Sequence, residues 1–203
     1  MTMKLTGIKQ QVKNPDRYSL FVEGKYAFSL SADALLDSRL VTGQALTGEE
    51  IDQYKRLSAE DKAYGLALAY VVRRMRSRGE LQDYFRRKQY APELSRQLLK
   101  KLQHLGFVND EEFAMRWVEN RRLLKATSTK KLLLELRQKH IDSDIIERVL
   151  TADGTDEKDL LRQVISKKRQ QSRYQDKQKL IAYLARQGYS YDDIKTVLNE
   201  NEV

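Results

Sequence analysis

Three segments of the chain superpose on one another: FRRKQYAPEL at residues 85–94, LRQKHIDSDI at 136–145 and, with one extra residue, LARQGYSYDDI at 184–194. The superposition aligns apolar residues at three levels, namely Tyr90, Ile141 and Tyr189, then Leu94, Ile145 and Ile194, and then Leu98, Val149 and Leu198. The last two levels have the i, i+4 spacing that places side chains on one face of a helix. The pattern predicts a unit of roughly 50 residues that occurs three times.

Each unit is predicted to contain three helices. A longer helical pattern precedes each segment, at 63–77, 112–125 and 158–170, and a middle helix follows it. Cap residues separate the helices: Ser77 and Ser128 before the middle helices, and Pro92, Asp142 and the Ser190 and Asp193 pair before the last ones. Units of this kind stack on their neighbours, so we expect an elongated, curved body.

A different pattern precedes the repeats. Residues between Lys4 and Leu30 alternate as strands do, and 23–25 can close a β-hairpin, which needs further packing to be stable. The segment 31–37 can supply a helix, and Thr47 with Glu50 opens another that we expect to end near Leu57. The predicted fold is therefore mainly α, with a small α+β head at 1–57 and three-helix repeats at 58–109, 110–155 and 156–203.

The composition favours a binding protein. The 203 residues include 38 Lys and Arg against 29 Asp and Glu, a net charge of +9, which favours a polyanionic partner. Cysteine is absent, which excludes a thiolate nucleophile or cysteine zinc site and suits a reducing compartment. No segment has the length and apolarity of a signal peptide or membrane span, so we expect a cytoplasmic protein without membrane contact.

The catalytic and ligand-binding patterns each fail on particular residues. His104 and His140 have no neighbouring ligands, and the carboxylates that follow Asn109 precede an apolar helix stripe, where acids favour a helix N-terminus. Gly43 and Gly48 have the spacing of a phosphate loop, but two glutamates stand where Lys and Ser or Thr are required. We therefore expect no enzyme activity, no cofactor and no metal.

Basic residues recur at matching positions of the repeats. The candidate contacts for a polyanion are, in the first repeat, Arg73, Arg74, Arg76, Arg78, Arg86, Arg87 and Lys88, in the second, Arg121, Arg122, Lys125, Lys130 and Lys131, and in the third, Lys167, Lys168, Arg169, Arg173, Lys177 and Lys179. A single basic helix face is usually only solvated, but three at matching positions indicate a binding track. Tyrosines lie among them, of which Tyr90 and Tyr189 fall on the apolar register of the core.

The strings YVVRRMRSRGELQDYFRRKQY (70–90), LLKKLQHLGFVNDEEFAMRWVENR (98–121) and LARQGYSYDDIKTVL (184–198) resemble the RecX regulatory proteins. The resemblance covers residues 60 to 200, and the head looks like that of the longer family members. Gln89 and His140 depart from the family pattern, which often has glycine there, so those two turns could be built differently. Gly188 keeps the pattern.

The resemblance implies a bacterial, non-catalytic modulator of the RecA recombinase. Such proteins bind the RecA filament on single-stranded DNA, lie in its groove and suppress ATP hydrolysis, filament growth and strand exchange. We therefore predict a monomer whose partners are a RecA-type filament and single-stranded DNA, bound directly or within the filament, so that it regulates DNA repair and recombination. The alternative is a free-standing DNA-binding protein that acts through its basic face.

Overall fold

The computed structural model describes residues 1–200 and divides into two compact units. One unit joins Met1–Arg74 to Ala91–Lys100, and the other joins Met75–Tyr90 to the chain from Lys101 onward. The first contains the predicted head and the second contains the second and third repeats. The mainly helical fold with an α+β head and tandem three-helix repeats is confirmed.

The head is a four-stranded antiparallel sheet with two helices. Strands β1 (Thr2–Gln10), β2 (Arg17–Val22), β3 (Lys25–Ser31) and β4 (Ala45–Thr47) lie in the order β3-β2-β1-β4, and helix α1 spans Ala32–Ser38. The predicted hairpin is present, and both Glu23 and Gly24 have positive φ, as the twist of a two-residue hairpin turn requires. Strand β4 was not predicted, because three residues are too few to show an alternation.

Helix α2 (Gly48–Val72) begins at the predicted capping box but is much longer than predicted. The prediction that this helix ends near Leu57 is wrong, because the polar residues after Leu57 continue the helix. Ser58 exchanges hydrogen bonds with the backbone of Ser29, and Asp61 forms an ion pair of 2.7 Å with Arg17. The helix is thus fastened to the sheet beside the core around Leu5, Leu20 and Phe28, and the proposed head boundary falls within it.

The repeats contain the helices that the sequence predicts. The first repeat has α3 (Arg78–Arg87) and α4 (Pro92–His104) after α2, the second has α5 (Asp110–Lys125), α6 (Thr129–Gln138) and α7 (Ser143–Ala152), and the third has α8 (Glu157–Arg169), α9 (Lys177–Arg186) and α10 (Tyr191–Glu200). A 3₁₀ turn at Ser172–Tyr174, between α8 and α9, was not predicted.

Most of the predicted caps form. Pro92 opens α4, Asn109 accepts two backbone N–H groups of α5, and Ser190 accepts the N–H of Asp193. Asp142 stands at the N-cap of α7 but makes no side-chain cap. Its carboxylate instead accepts a hydrogen bond from Arg78, which offers a charged donor in place of a backbone N–H.

The middle helix of the first repeat packs against the second repeat through its N-terminus. Ser77 caps α3 and donates its hydroxyl to the carbonyl of Lys139, at 2.7 Å. The N–H of Arg78 donates to Asp110 at 2.6 Å, and Lys139 pairs with Glu80 at the same distance. Ser77, the N–H of Arg78 and Glu80 therefore all have partners at this helix start.

The second and third repeats meet through the same arrangement. Ser128 caps α6 and donates to the carbonyl of Gln187 at 2.6 Å, while the N–H of Thr129 donates to Glu157 at 2.7 Å. Lys131 reaches the side chain of Gln187 at 2.7 Å, in the place of the Glu80 and Lys139 pair. The junction is therefore a repeated structure, like the helices on either side of it.

The turn before each last helix contains a residue with positive φ, and the next residue donates the same backbone hydrogen bond in each case. Gln89, His140 and Gly188 all have positive φ, so the prediction that the first two turns are built differently is wrong. Each junction contains one glycine where the chains approach. A Cβ on Gly79 would lie 2.3 Å from the Cβ of His140, and a Cβ on Gly188 would lie 2.5 Å from the hydroxyl of Ser128.

Candidate nucleic-acid and filament interface

Most of the candidate cations lie where the first helix of each repeat ends and the middle helix begins, whereas Arg86, Arg87 and Lys88 lie at the end of α3. The last turns of α5 and α8 carry Arg122 with Lys125, and Lys167 with Lys168 and Arg169. Cations are favourable there because the helix C-terminus has a partial negative charge. Local helix electrostatics therefore accounts for part of the pattern, and the partners of each side chain distinguish cations that hold the fold from those free to bind.

In the first repeat, several cations are engaged. Arg78 contacts both Asp142 and Asp110, and Arg86 forms an ion pair of 3.1 Å with Asp83. The Lys88 ammonium stands 5.8 Å from the Tyr84 ring. The remaining four differ in exposure: Arg76 is half-buried, whereas the exposed ones are Arg73, Arg74 and Arg87.

In the second repeat, the two adjacent arginines hold the fold. Arg121 donates to Glu135 at 2.7 Å, and its guanidinium lies over the ring of Trp117. The Arg122 side chain is only 9% exposed, and it pairs with Asp153 and donates to Thr127 and Thr129. Arg122 is therefore poorly suited as a contact residue, and its role in binding stays a prediction.

The other cations of the second repeat face outward or span the junction. Lys125 and Lys130 are exposed and have no ion pair within the described residues 1–200. Lys131 is committed to Gln187 across the junction. Of the five candidates on this repeat, Lys125 and Lys130 are the ones whose charge the fold leaves available.

In the third repeat, the cations surround aromatic rings. The ammonium of Lys168 is 4.8 Å from the ring centre of Tyr183 and 5.4 Å from that of Tyr174. The guanidinium of Arg173 is 5.8 Å from the Tyr174 ring centre. The remaining candidates are Lys167, Arg169, Lys177 and Lys179, of which Lys179 pairs with Asp176 at 3.5 Å.

The residues that surround Arg121 and Lys168 were absent from the predicted set. Trp117 and Lys139 complete the Arg121 cluster, in which the indole N–H donates to Glu135 and the Lys139 ammonium lies 5.0 Å from the ring. Tyr183 receives Lys168. Extending the superposition of the repeats back through the middle helix aligns Glu135 with Tyr183, and an acid and a ring at one position give no common signal in the sequence.

Two buried groups near the junctions titrate away from their ordinary values. Burial raises the pKa of Asp110, against the lowering effect of the Arg78 N–H that it accepts. Burial also raises the pKa of Tyr189 to about 12, and its hydroxyl donates to the carbonyl of Ala126 at 2.6 Å. Both groups lie at contacts between repeats and serve the packing.

The described residues lack two other kinds of site. Residues 1–200 contain no group of three or more His, Cys, Asp or Glu side chains placed to hold a metal ion. Over the same residues, no helix is both long and apolar enough to cross a membrane.

Four family models match the chain in succession. They are described as the regulatory protein RecX N-terminal domain, over residues 3–47, and as the first, second and third three-helix domains of RecX, over 63–102, 109–150 and 156–198. The matches follow the order of the head and repeats described above.

Relatives match over nearly the whole chain. The regulatory protein RecX of Bacillus pumilus is 32% identical over 97% of this chain and 76% of its own length, and that of Bacillus subtilis is 29% identical over 98% and 77%. A crystal structure of regulatory protein RecX superposes with a TM-score of 0.73 at 24% identity, covering 97% of this chain and 99% of the other. RecX from Lactobacillus salivarius gives a TM-score of 0.59 at 26% identity, covering 70% and 95%.

The fold and these matches define a class of regulatory protein in which an N-terminal domain precedes tandem three-helix domains. Within that class, the chain belongs to the RecX family.

Proposed function

We propose that this protein regulates a RecA-type recombinase by binding its filament on single-stranded DNA, and that it mainly inhibits ATP hydrolysis, filament growth and strand exchange. The observation that carries the proposal is membership of a regulatory family, shown by four domain models that match in order along the chain. Such an activity belongs in the cytoplasm, where the recombinase and its DNA lie, and it requires only a monomer.

The charge of the chain supports a nucleoprotein target. The net charge is +9, and exposed cations occur on each repeat, among them Arg87, Lys125 and Lys167. Exposed cations attract a polyanion over about a Debye length, roughly 8 Å at physiological salt, and release counterions when they meet phosphates. Contacts spread over several repeats suit a long, regular ligand such as a filament.

The same charge favours the alternative, a DNA-binding protein that acts without a recombinase. Order of addition separates the two. Single-stranded DNA is first saturated with recombinase and ATP, and the purified chain is then added while ATP hydrolysis is followed. A filament regulator suppresses hydrolysis on DNA that is already covered. A protein that only competes for bare DNA leaves hydrolysis unchanged in this order and lowers it only when added first.

A further inference from the structure

We propose that direct contact with single-stranded nucleic acid is concentrated on the third repeat, at a terminal basic site formed by Lys167, Lys168, Arg169, Arg173 and Tyr174. The inference rests on the proposed function, because it names the part of the chain that meets the DNA. It differs from a track of equal contacts along three repeats.

Equivalent cations of the second and third repeats have different partners. Lys168 lies 47 residues after Arg121, and the buried residues Val118 and Ile165 of the same helices have the same separation. Arg121 is neutralised by Glu135, whereas Lys168 meets the ring of Tyr183. A ring stabilises the ammonium without cancelling its charge, so Lys168 retains the ability to attract phosphate.

The next position in the same helices shows the same difference. Arg169 lies 47 residues after Arg122, which is buried against Asp153. Arg169 is half-buried, and neither it nor the exposed Lys167 has an ion pair with any residue in the described range 1–200. Acidic residues of the fold therefore neutralise Arg121 and Arg122 in the second repeat, whereas the matching Lys168 and Arg169 in the third repeat remain available to a ligand.

The connection before the middle helix is exposed in the third repeat. Ser77 and Ser128, which precede α3 and α6, are fully buried because another repeat packs on them. Asp176 occupies the corresponding position before α9 and is exposed. A carboxylate cannot donate a hydrogen bond to a backbone carbonyl, so this position is unable to repeat the serine junction.

The longer connection in the third repeat places cations around aromatic rings. Tyr174 lies in the 3₁₀ turn, with its ring centre 5.0 Å from that of Tyr183. Lys168 stands near both rings, and the exposed Arg173 lies over Tyr174. The arrangement combines an aromatic surface with guanidinium and ammonium groups, as proteins that stack unpaired bases do.

Charge and ring chemistry together favour a single strand as the occupant. The segment 167–179 holds the six cations Lys167, Lys168, Arg169, Arg173, Lys177 and Lys179 against the one acid Asp176, which leaves a net charge of +5. Phosphates can meet the cations while an unpaired base stacks on Tyr174 or Arg173. The base faces of a duplex are stacked on one another and cannot stack on Tyr174. An acidic protein surface would contact the cations but would make no use of the ring.

Two matched triple variants of the full chain test the proposal. One carries Lys167→Gln, Arg169→Gln and Arg173→Gln, and the control carries Arg87→Gln, Lys125→Gln and Lys130→Gln, which removes equal charge from exposed sites on the other repeats. Binding to a labelled oligothymidylate is measured by fluorescence anisotropy against salt, without recombinase. We expect the first variant to bind about tenfold or more weakly, with a salt slope lower by about 2, and the control to change by less than about threefold.

A second readout reports stacking directly. Photo-crosslinking to an oligonucleotide that carries 5-iodouracil should label Tyr174, and Tyr174→Phe should keep the affinity that Tyr174→Ala loses, with circular dichroism confirming the fold. Equal losses in the two triple variants, or crosslinks confined to the other repeats, would overturn the proposal. If the first variant loses DNA binding yet still suppresses the recombinase, the terminal basic site stands and DNA contact is not required for regulation.

Discussion

Arg122 and Lys125 lie on one turn of α5 and carry the same charge, but the fold uses them in opposite ways. The Arg122 guanidinium is held by Asp153, by the carbonyl of Thr127 and by the hydroxyl of Thr129, and the Lys125 ammonium is exposed. Composition and spacing show only that both residues are positively charged. Which of two cations is structural depends on where an acid arrives from another helix, which a one-dimensional pattern does not contain.

We predict that Arg122→Gln lowers the free energy of unfolding by about 3 kcal/mol, because it leaves the half-buried carboxylate of Asp153 without its partner. Lys125→Gln is the matched control and should change that free energy by less than about 0.5 kcal/mol. Urea unfolding followed by Trp117 fluorescence measures both. Equal stabilities would contradict the structural role of Arg122 and return it to the candidate contact set.

Tyr189 links stability to alkaline pH. Its pKa in the folded protein is about 12, against about 10 in an unfolded chain, so the neutral hydroxyl stabilises the fold fully below pH 10. As pH rises from about 10 to about 12, the unfolded state loses the proton first and that stability declines. Tyr189→Phe should cost about 1 kcal/mol at neutral pH, because the carbonyl of Ala126 loses its donor.

The test for Tyr189 is the difference in unfolding free energy between the two proteins as a function of pH. The advantage of the original protein should shrink above pH 10 and reverse toward pH 12. A constant difference across this range would show that the hydroxyl titrates at its ordinary pKa in the folded state.

At the scale of elements, the helices were largely readable because each repeats the same apolar spacing and cap chemistry. The capping box at Thr47 and the N-caps at Ser77 and Ser128 lie where the sequence places them. The end of α2 was not readable, because Ser58 and Asp61 look like helix-ending residues until β3 is there to receive them. For the candidate site, the sequence supplied the cations but not the acids and rings that each of them contacts, and the site itself stays a prediction.

The repeat pattern also did not predict the junctions between repeats, because the glycine lies on a different segment in each junction. Gly79 supplies the space in one junction, on the helix, and Gly188 supplies it in the next, on the turn. Neither glycine has a glycine at the matching position of the second repeat, so aligning the repeats residue by residue gives two mismatches. The compensation appears only when His140 and Ser128 are seen opposite them.

We predict that Gly79→Ala lowers the free energy of unfolding by about 2 kcal/mol, because its Cβ would overlap that of His140. Combining it with His140→Gly should recover most of the loss, since glycine accepts the positive φ of that turn. Gly154→Ala is the control, in a loop where an added Cβ meets no atom within 4 Å. Additive losses in the double variant would show that the two residues do not share this contact.

At the scale of the whole molecule, the proposed regulation requires that the protein recognise a nucleoprotein assembly and not merely its charge. The net charge of +9 makes weak binding to any polyanion unavoidable at low salt. Membership of the RecX family gives the more specific expectation, because four RecX domain models match the chain in order. Specific binding should therefore persist at salt concentrations that abolish binding to bare DNA.

The most direct test is a titration of the purified protein into a RecA-type recombinase that already covers single-stranded DNA, with ATP hydrolysis as the readout at physiological salt. The account predicts that hydrolysis falls to half at a ratio of regulator to recombinase well below one, because a few bound copies block growth and stability of a whole filament. Hydrolysis that stays unchanged up to excess protein, while bare DNA is still bound, would contradict the account and favour a free-standing DNA-binding protein.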